Sequence, residues 1–194
     1  MKKTAIVFAL FYEFRLLARK LGFSLIGARP ASIIAKNQDV ALVRSGMGKQ
    51  KARKAAEDVI RTFKPDVIIS AGFCGALVEE LKVGDIVVSD FKDGKLFCSD
   101  RILFTYAEKI AVFRRSKALV VDMESEGVAA AAESHGIDFL AVKAVSDGLR
   151  DDIPKIRLLS LRELPRFKRS LDTASGKLSE FLLDYIKKGH SCPN

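Results

Sequence analysis

Tryptophan is absent from this 194-residue chain, and histidine, cysteine and methionine are scarce at two, three and three. With only His135 and His190 to draw on, a Ser-His-Asp or Cys-His catalytic group has little support. His135 stands directly before Gly136, where a helix C-terminus accounts for it more simply than catalysis does. Cys74, Cys98 and Cys192 are odd in number and far apart, which argues against a disulfide framework. No Cys-x-x-Cys or close histidine pair supports a metal site, so no metal is expected. The glycine-bearing segments match neither the Walker pattern nor the dinucleotide fingerprint, and no cofactor is expected. No apolar run reaches membrane-spanning length. Met1-Lys-Lys before Thr4–Tyr12 imitates a secretory signal, but Glu13 and Arg15 end the run and no small-residue cleavage pattern follows. A first buried strand and a cytoplasmic location are expected.

What is present describes an ordinary globular chain: 48% hydrophobic and 29% charged residues, enough length for a sizeable core, and one domain over residues 1–190. The net charge of +9 and pI of about 9.5 admit an acidic partner. The basic residues are dispersed and lack interleaved aromatics, so a solvated basic surface is expected and nucleic acid is not.

The chain is organised around Leu119–Asp147. Two short apolar, β-branched runs flank an alanine-rich segment closed by Gly136, the pattern of a strand-helix-strand crossover in a buried parallel sheet. Asp122 and Glu124 follow the first strand, and Ser146 and Asp147 end the second. Ligands of open α/β sheets sit beyond the carboxyl ends of the strands, so these groups are candidates for one crevice. Each acid also has a plain structural reading, Glu124 as a cap of the first helical turn and Asp147 as the start of a turn with Gly148. Upstream, Thr4–Leu10 reads as the first strand and Tyr12–Lys20 as a helix, which places Glu13 at another carboxyl edge. Ser32–Ala35 and Val40–Arg44 read as short strands. Ser45-Gly-Met-Gly48 then opens a basic helix from about Gln50 to Phe63, a geometry able to cradle an anion. Asp66–Ala71 is a continuous apolar strand ending at Gly72-Phe-Cys-Gly75, where small residues admit a close approach by a ligand. The spacing predicts a strand up to Asp90, a tight turn at Lys92–Lys95, a strand over Leu96–Ser99 and a helix over Thr105–Ser116. Over Ile156–Lys188 the leucines have helical spacing, with breaks predicted at Pro165 and Gly176.

Four segments in this order resemble the nucleoside phosphorylase and nucleosidase superfamily, and within it the methylthioadenosine/adenosylhomocysteine nucleosidases. They are the first strand running into Glu13; Ser45-Gly-Met-Gly-Lys49; Pro65–Leu77 with Leu81–Asp90; and Val121-Asp-Met-Glu-Ser125 with Ala144-Val-Ser-Asp147. The resemblance implies a nucleoside phosphorylase-like α/β fold, a twisted mixed central sheet flanked by helices. It also implies hydrolytic cleavage of the N-glycosidic bond of an adenine-type purine nucleoside, and a homodimer. Carried over, Glu13 orients the attacking water and Asp147 donates a proton to the departing base. Glu124 holds the ribose hydroxyls and Met123 packs on the sugar. Phe73, Gly75 and Ser146 complete the substrate-binding set. Ile102, Leu103 and Phe104 follow the remnant Ser99-Asp100 of a family motif and are read as either base-pocket or core residues. In the related phosphorylases an Arg and a Ser hold phosphate; the matching positions here are Ser70 and Phe73, which favours water as the nucleophile. Arg15, Arg44 and Arg150, near strand ends, are open to reading as anion ligands or as surface charges.

One departure from the pattern is large: the nucleosidases carry several tens of residues more between Asp90 and Leu96. That section lines the pocket for the 5′ substituent and contributes to their dimer contact. The chain also resembles the phosphorylase-like proteins of hopanoid synthesis, which implies a phosphorylase acting on a lipid-linked nucleoside. The basic, leucine-bearing stretch Lys155–Arg169 is then a candidate for peripheral contact with an anionic membrane, or simply the core face of a helix. A binding protein without turnover is the alternative of another class.

Overall fold

The computed structural model describes residues 2–23, 32–153 and 164–188. The axis of its sheet is β4 (Val67–Ala76), whose nearly unbroken apolar run lets it be covered on both faces. On one side β4 pairs in parallel with β1 (Thr4–Phe8), and on the other in parallel with β8 (Asp138–Asp147). The sheet continues outward from β1 through β3 (Val40–Arg44) to the antiparallel β2 (Ser32–Lys36). At its far end Gly75 and Ala76 of β4 meet β7 (Val120–Asp122) antiparallel, and β6 (Leu96–Cys98) lies parallel to β7. The eighth strand, β5 (Ile86–Ser89), runs antiparallel along β8. The mixed central sheet expected from the sequence is therefore present.

Period-two alternation distributes the strand residues between two helical layers. Ile6 and Phe8 of β1 face α1 (Phe11–Lys20) and α5 (Leu164–Lys187), packing with Phe14, Leu17, Leu178 and Leu182. Ala5 and Val7 face α2 (Lys49–Phe63) and α4 (Ser125–His135), among Ala52, Ala55, Ala131 and Ala132. Alanine on both α2 and α4 lets these helices approach closely, and a Cβ added at Gly127 would lie 2.1 Å from the Lys49 carbonyl oxygen. The remaining helix among the described residues, α3 (Tyr106–Ser116), begins with a capping box: Thr105 accepts the Glu108 N–H while the Glu108 carboxylate accepts the N–H groups of Phe104 and Thr105.

Two expectations are corrected. The strand predicted to stop at Ala71 continues through Gly72-Phe-Cys-Gly75 to Ala76, because β8 pairs with it along that length. No break occurs at Gly176: α5 runs through it, since Ala174, Ser175, Leu178 and Ser179 are buried around it. That packing outweighs the roughly 1 kcal/mol cost of a helical glycine. Pro165 falls in the first turn, where its missing N–H costs nothing. Leu158, Leu159 and Leu161 of the proposed membrane-contact stretch lie outside the described residues. Among the described residues no helix is long and apolar enough to cross a membrane.

Candidate active site

The carboxyl edge of the sheet surrounds a cavity of about 190 Å³. Its lining brings together Glu13, Phe73, Gly75, Ile102, Leu103, Met123, Glu124, Ser146 and Asp147 from five separate segments. Phe104 is not among the lining residues. Its N–H caps α3 and its carbonyl accepts from the Ile153 N–H, so its backbone serves the loop rather than the pocket. Ile102 lines the pocket, while Leu103 both lines it and packs in a core cluster with Leu77, Val112, Ala118 and Val121.

Glu13 is 4% exposed and fixed from two directions. Its Oε2 accepts the N–H groups of Ala9 (2.9 Å) and Leu10 (2.7 Å) at the β1–α1 junction, and its Oε1 accepts the Phe73 N–H of β4 (3.0 Å). Burial pushes its pKa up, with the Glu124 carboxylate adding to the rise, while the amides of Leu10 and Phe73 and the Lys143 ammonium oppose it; the outcome is about 7. The glycines of β4 have a specific task beside these acids. A Cβ at Gly72 would stand 2.7 Å from Glu13 Oε1, and one at Gly75 would stand 2.9 Å from Asp147 Oδ2. Small residues here make room for carboxylates as well as for a ligand.

Glu124 occupies the N-cap position of α4 but makes no cap hydrogen bond. Its Oε1 instead accepts the Gly48 N–H (2.8 Å), and Oε2 accepts the Met123 N–H (3.3 Å). The glycine loop thus holds a carboxylate of the chain itself. Burial raises the Glu124 pKa, with Lys143 opposing. The capping role falls to Asp122, whose Oδ2 accepts the Ser125 N–H and hydroxyl at 3.0 and 2.6 Å.

Asp147, also in the lining, is 5% exposed. Ser146 Oγ lies 2.7 Å from its Oδ1, and the Lys109 ammonium donates to its Oδ2 at 2.6 Å. The turn expected of Asp147 is held by Asp151, which accepts the Gly148 N–H. Burial raises the Asp147 pKa, partly offset by Lys109 and Ser146. A carboxyl displaced toward its neutral form suits a proton donor.

Two lysines at this edge were not anticipated. Lys143 is 1% exposed and pairs with Asp122 at 2.8 Å, also reaching Ser70 Oγ at 3.1 Å. A lysine inside the apolar run Phe139–Val145 was the available signal, since a charge in a doubly covered strand needs a partner. Lys109 is fully buried on α3, and its sequence surroundings carry no such mark. Of the arginines considered for an anion, Arg15 pairs with Asp172 and Arg150 with Glu79.

Two segments of the chain, residues 4–91 and 89–187, match the family model of the phosphorylase superfamily. They meet at the short Phe91–Gly94 turn, in agreement with a chain that lacks an insert there. A 92-residue stretch is 39% identical to the 5′-methylthioadenosine/S-adenosylhomocysteine nucleosidase of Staphylococcus aureus strain JH9. It covers 45% of this chain and only 40% of that relative's length. Among solved structures, the 5′-methylthioadenosine/S-adenosylhomocysteine nucleosidase of Helicobacter pylori superposes with a TM-score of 0.78 at 15% identity, over 97% of this chain and 99% of the other. The futalosine hydrolase of the same organism gives 0.77 at 16%, over 96% and 98%. At such identities the likeness is one of fold.

Proposed function

This chain belongs to the phosphorylase superfamily, and from that premise we propose that it hydrolyses the N-glycosidic bond of an adenine-type purine nucleoside. One observation carries the reading: Glu13 and Asp147, two buried acids with different partners, line the same cavity, with Met123 and Glu124 also in its wall. Breaking the bond between C1′ and the base nitrogen leaves positive charge on the sugar and negative charge on the base, as in glycosidase transition states. The site supplies opposite groups to the two ends. Glu13, held by three amides, accepts a proton from water attacking C1′. Asp147 donates a proton to the base as the bond electrons pass to it. Glu124 keeps free lone pairs beyond its two amide contacts and can accept the ribose hydroxyls, while Met123 packs on the sugar. Hydrolysis is favoured over phosphorolysis because the Gly48 N–H of the glycine loop is already committed to Glu124, and Ser70, one of the positions matching the phosphate ligands of related phosphorylases, sits within reach of Lys143 and Ser125.

The test is release of free base from adenosine, methylthioadenosine and adenosylhomocysteine, each with and without phosphate, for wild type and Asp147→Asn. Release independent of phosphate is expected, falling by about 10²–10⁴-fold in the variant. A phosphate requirement would point instead to a phosphorylase, and nucleoside binding with no release to a protein that has lost turnover.

A further inference from the structure

Lys109 stands out in this cavity because an alkylammonium with no exposure to solvent is costly unless every proton it carries is used. Here all three are: Nζ donates to Asp147 Oδ2 at 2.6 Å, to the Gly148 carbonyl at 2.7 Å and to the Asp151 carbonyl at 2.9 Å. The two carbonyls fix the ammonium in place, and the third proton is aimed at the one acid that faces the base end of the site. Asp147 Oδ2 is thereby occupied by a donor, which leaves Oδ1 as the oxygen able to carry a transferable proton. Ser146 completes the arrangement. Its hydroxyl lies within hydrogen-bond distance of both Asp147 Oδ1 (2.7 Å) and the Cys74 carbonyl (3.2 Å), so it can turn to the carbonyl while Oδ1 is protonated and back once it is not.

We propose that Lys109 is the positioning residue that makes Asp147 an effective acid, confining the proton to Oδ1 and neutralising the carboxylate that forms as the base leaves. The inference rests on the nucleosidase reading above. In the step itself the Oδ1–H bond breaks and an N–H bond forms on the base, while the C1′–N pair moves onto the base. The new negative charge on Asp147 is met by the Lys109 ammonium on Oδ2 and the returning Ser146 hydroxyl on Oδ1. Water adds to C1′ and yields its proton to Glu13. Lys109 keeps its own protons throughout. The other groups facing Asp147 are Asp151, itself paired with Arg166 at 3.3 Å, and the Cys74 thiol, with Asp122 and its partner Lys143 elsewhere in the same edge. Among the described residues, Lys109 is therefore the cation in direct contact with the acid.

A lysine that only ties α3 to the Gly148–Asp151 loop would leave the same bonds, so the experiment must separate the two roles. Lys109→Met, Asp147→Asn and the double variant are compared on methylthioadenosine and on p-nitrophenyl riboside, whose leaving group departs without protonation. Lys109→Met is expected to lower kcat for the nucleoside by roughly 10–100-fold, a share of what a general acid supplies, and to lower the p-nitrophenyl riboside rate far less. Its alkaline limb should move to higher pH, because the cation that holds the Asp147 pKa down is gone. In the Asp147→Asn background the same substitution should add little. Equal losses on both substrates, or the same loss with and without Asp147, would overturn the proposal in favour of a structural tie while leaving the nucleosidase reading intact. Wild-type protein that cleaves neither substrate overturns that reading, and this role with it. If the methionine variant does not fold, Lys109→Gln keeps donors for the two carbonyls without the charge and decides the same comparison.

Discussion

Glu13 is asked to be ionised where burial resists ionisation. Three amide N–H groups favour the carboxylate and desolvation opposes it, and the balance near pH 7 makes it a group that titrates in the working range of most enzymes. Since the ionised form is the one that takes a proton from water, kcat/KM is expected to rise with pH through about 7, which a pH–rate profile on any cleaved nucleoside measures. Stability should move the other way. The folded pKa lies above the ordinary 4.5, so the contribution is fully present below that value and is lost as pH rises through 7. The loss is on the order of 3 kcal/mol, and urea midpoints at pH 5 and pH 8 would reveal it. Glu13→Gln should abolish this pH dependence. An amide cannot accept all three N–H bonds, so the variant should also be about 1–3 kcal/mol less stable at pH 5 and lose most turnover.

Among elements, the crossing of α2 and α4 sets the place of Glu124. Gly127 of α4 lies against the Lys49 carbonyl of α2, one residue after Gly48, whose N–H holds Glu124. Gly127→Ala has no room for its methyl and is expected to force the helices apart, costing about 1–3 kcal/mol in a chemical melt. It should raise KM as the Gly48–Glu124 contact loosens, and wild-type stability and KM in this variant would remove the argument. These elements were largely legible beforehand, because apolar β-branched runs and alanine at helical spacing report burial directly: β3, α2, β7 and α4 fall within a residue or so of where the pattern puts them, and β1 starts at Thr4 as expected but ends at Phe8, two residues short of Leu10. The acids Glu13, Glu124 and Asp147 were legible from their place at strand ends. Lys109 and Lys143 were not, because a lysine is ordinarily a surface residue, and what buries these two is a carboxylate far away in the chain, Asp147 for one and Asp122 for the other. The unbroken course of α5 past Gly176 was hidden for a similar reason: local propensity marks a weak point, and packing against β8 and α1 overrides it.

Taken whole, the molecule is basic outside and acidic at one place within. Against a net charge of +9, the cavity gathers Glu13, Glu124 and Asp122 near the Lys143 cation, and sets Lys109 against Asp147. Under the proposed reading, carboxylates outnumber the cation where the sugar becomes positive, and an ammonium stands where the base becomes negative. That polarity is aligned with the charge separation of glycosidic cleavage and requires little rearrangement as the bond breaks. It makes a prediction for the molecule as a unit. A nucleoside analogue with a protonated nitrogen in place of the ribose ring oxygen should bind more tightly than its neutral counterpart, and its advantage should shrink as pH falls below 7 and Glu13 takes up a proton. The cavity draws its lining from the β1–α1 junction, α1, β4, α3, β7, β8 and α5, so a ligand in it ties together elements from both ends of the chain and should raise the melting temperature of the whole rather than of one part. At a hundredfold excess over Kd the gain is about 2.7 kcal/mol, or roughly 5–10 °C for a chain of this size. Equal shifts from the charged and neutral analogues at pH 8 would mean that the sugar side of the cavity does not carry the negative field that its carboxylates imply.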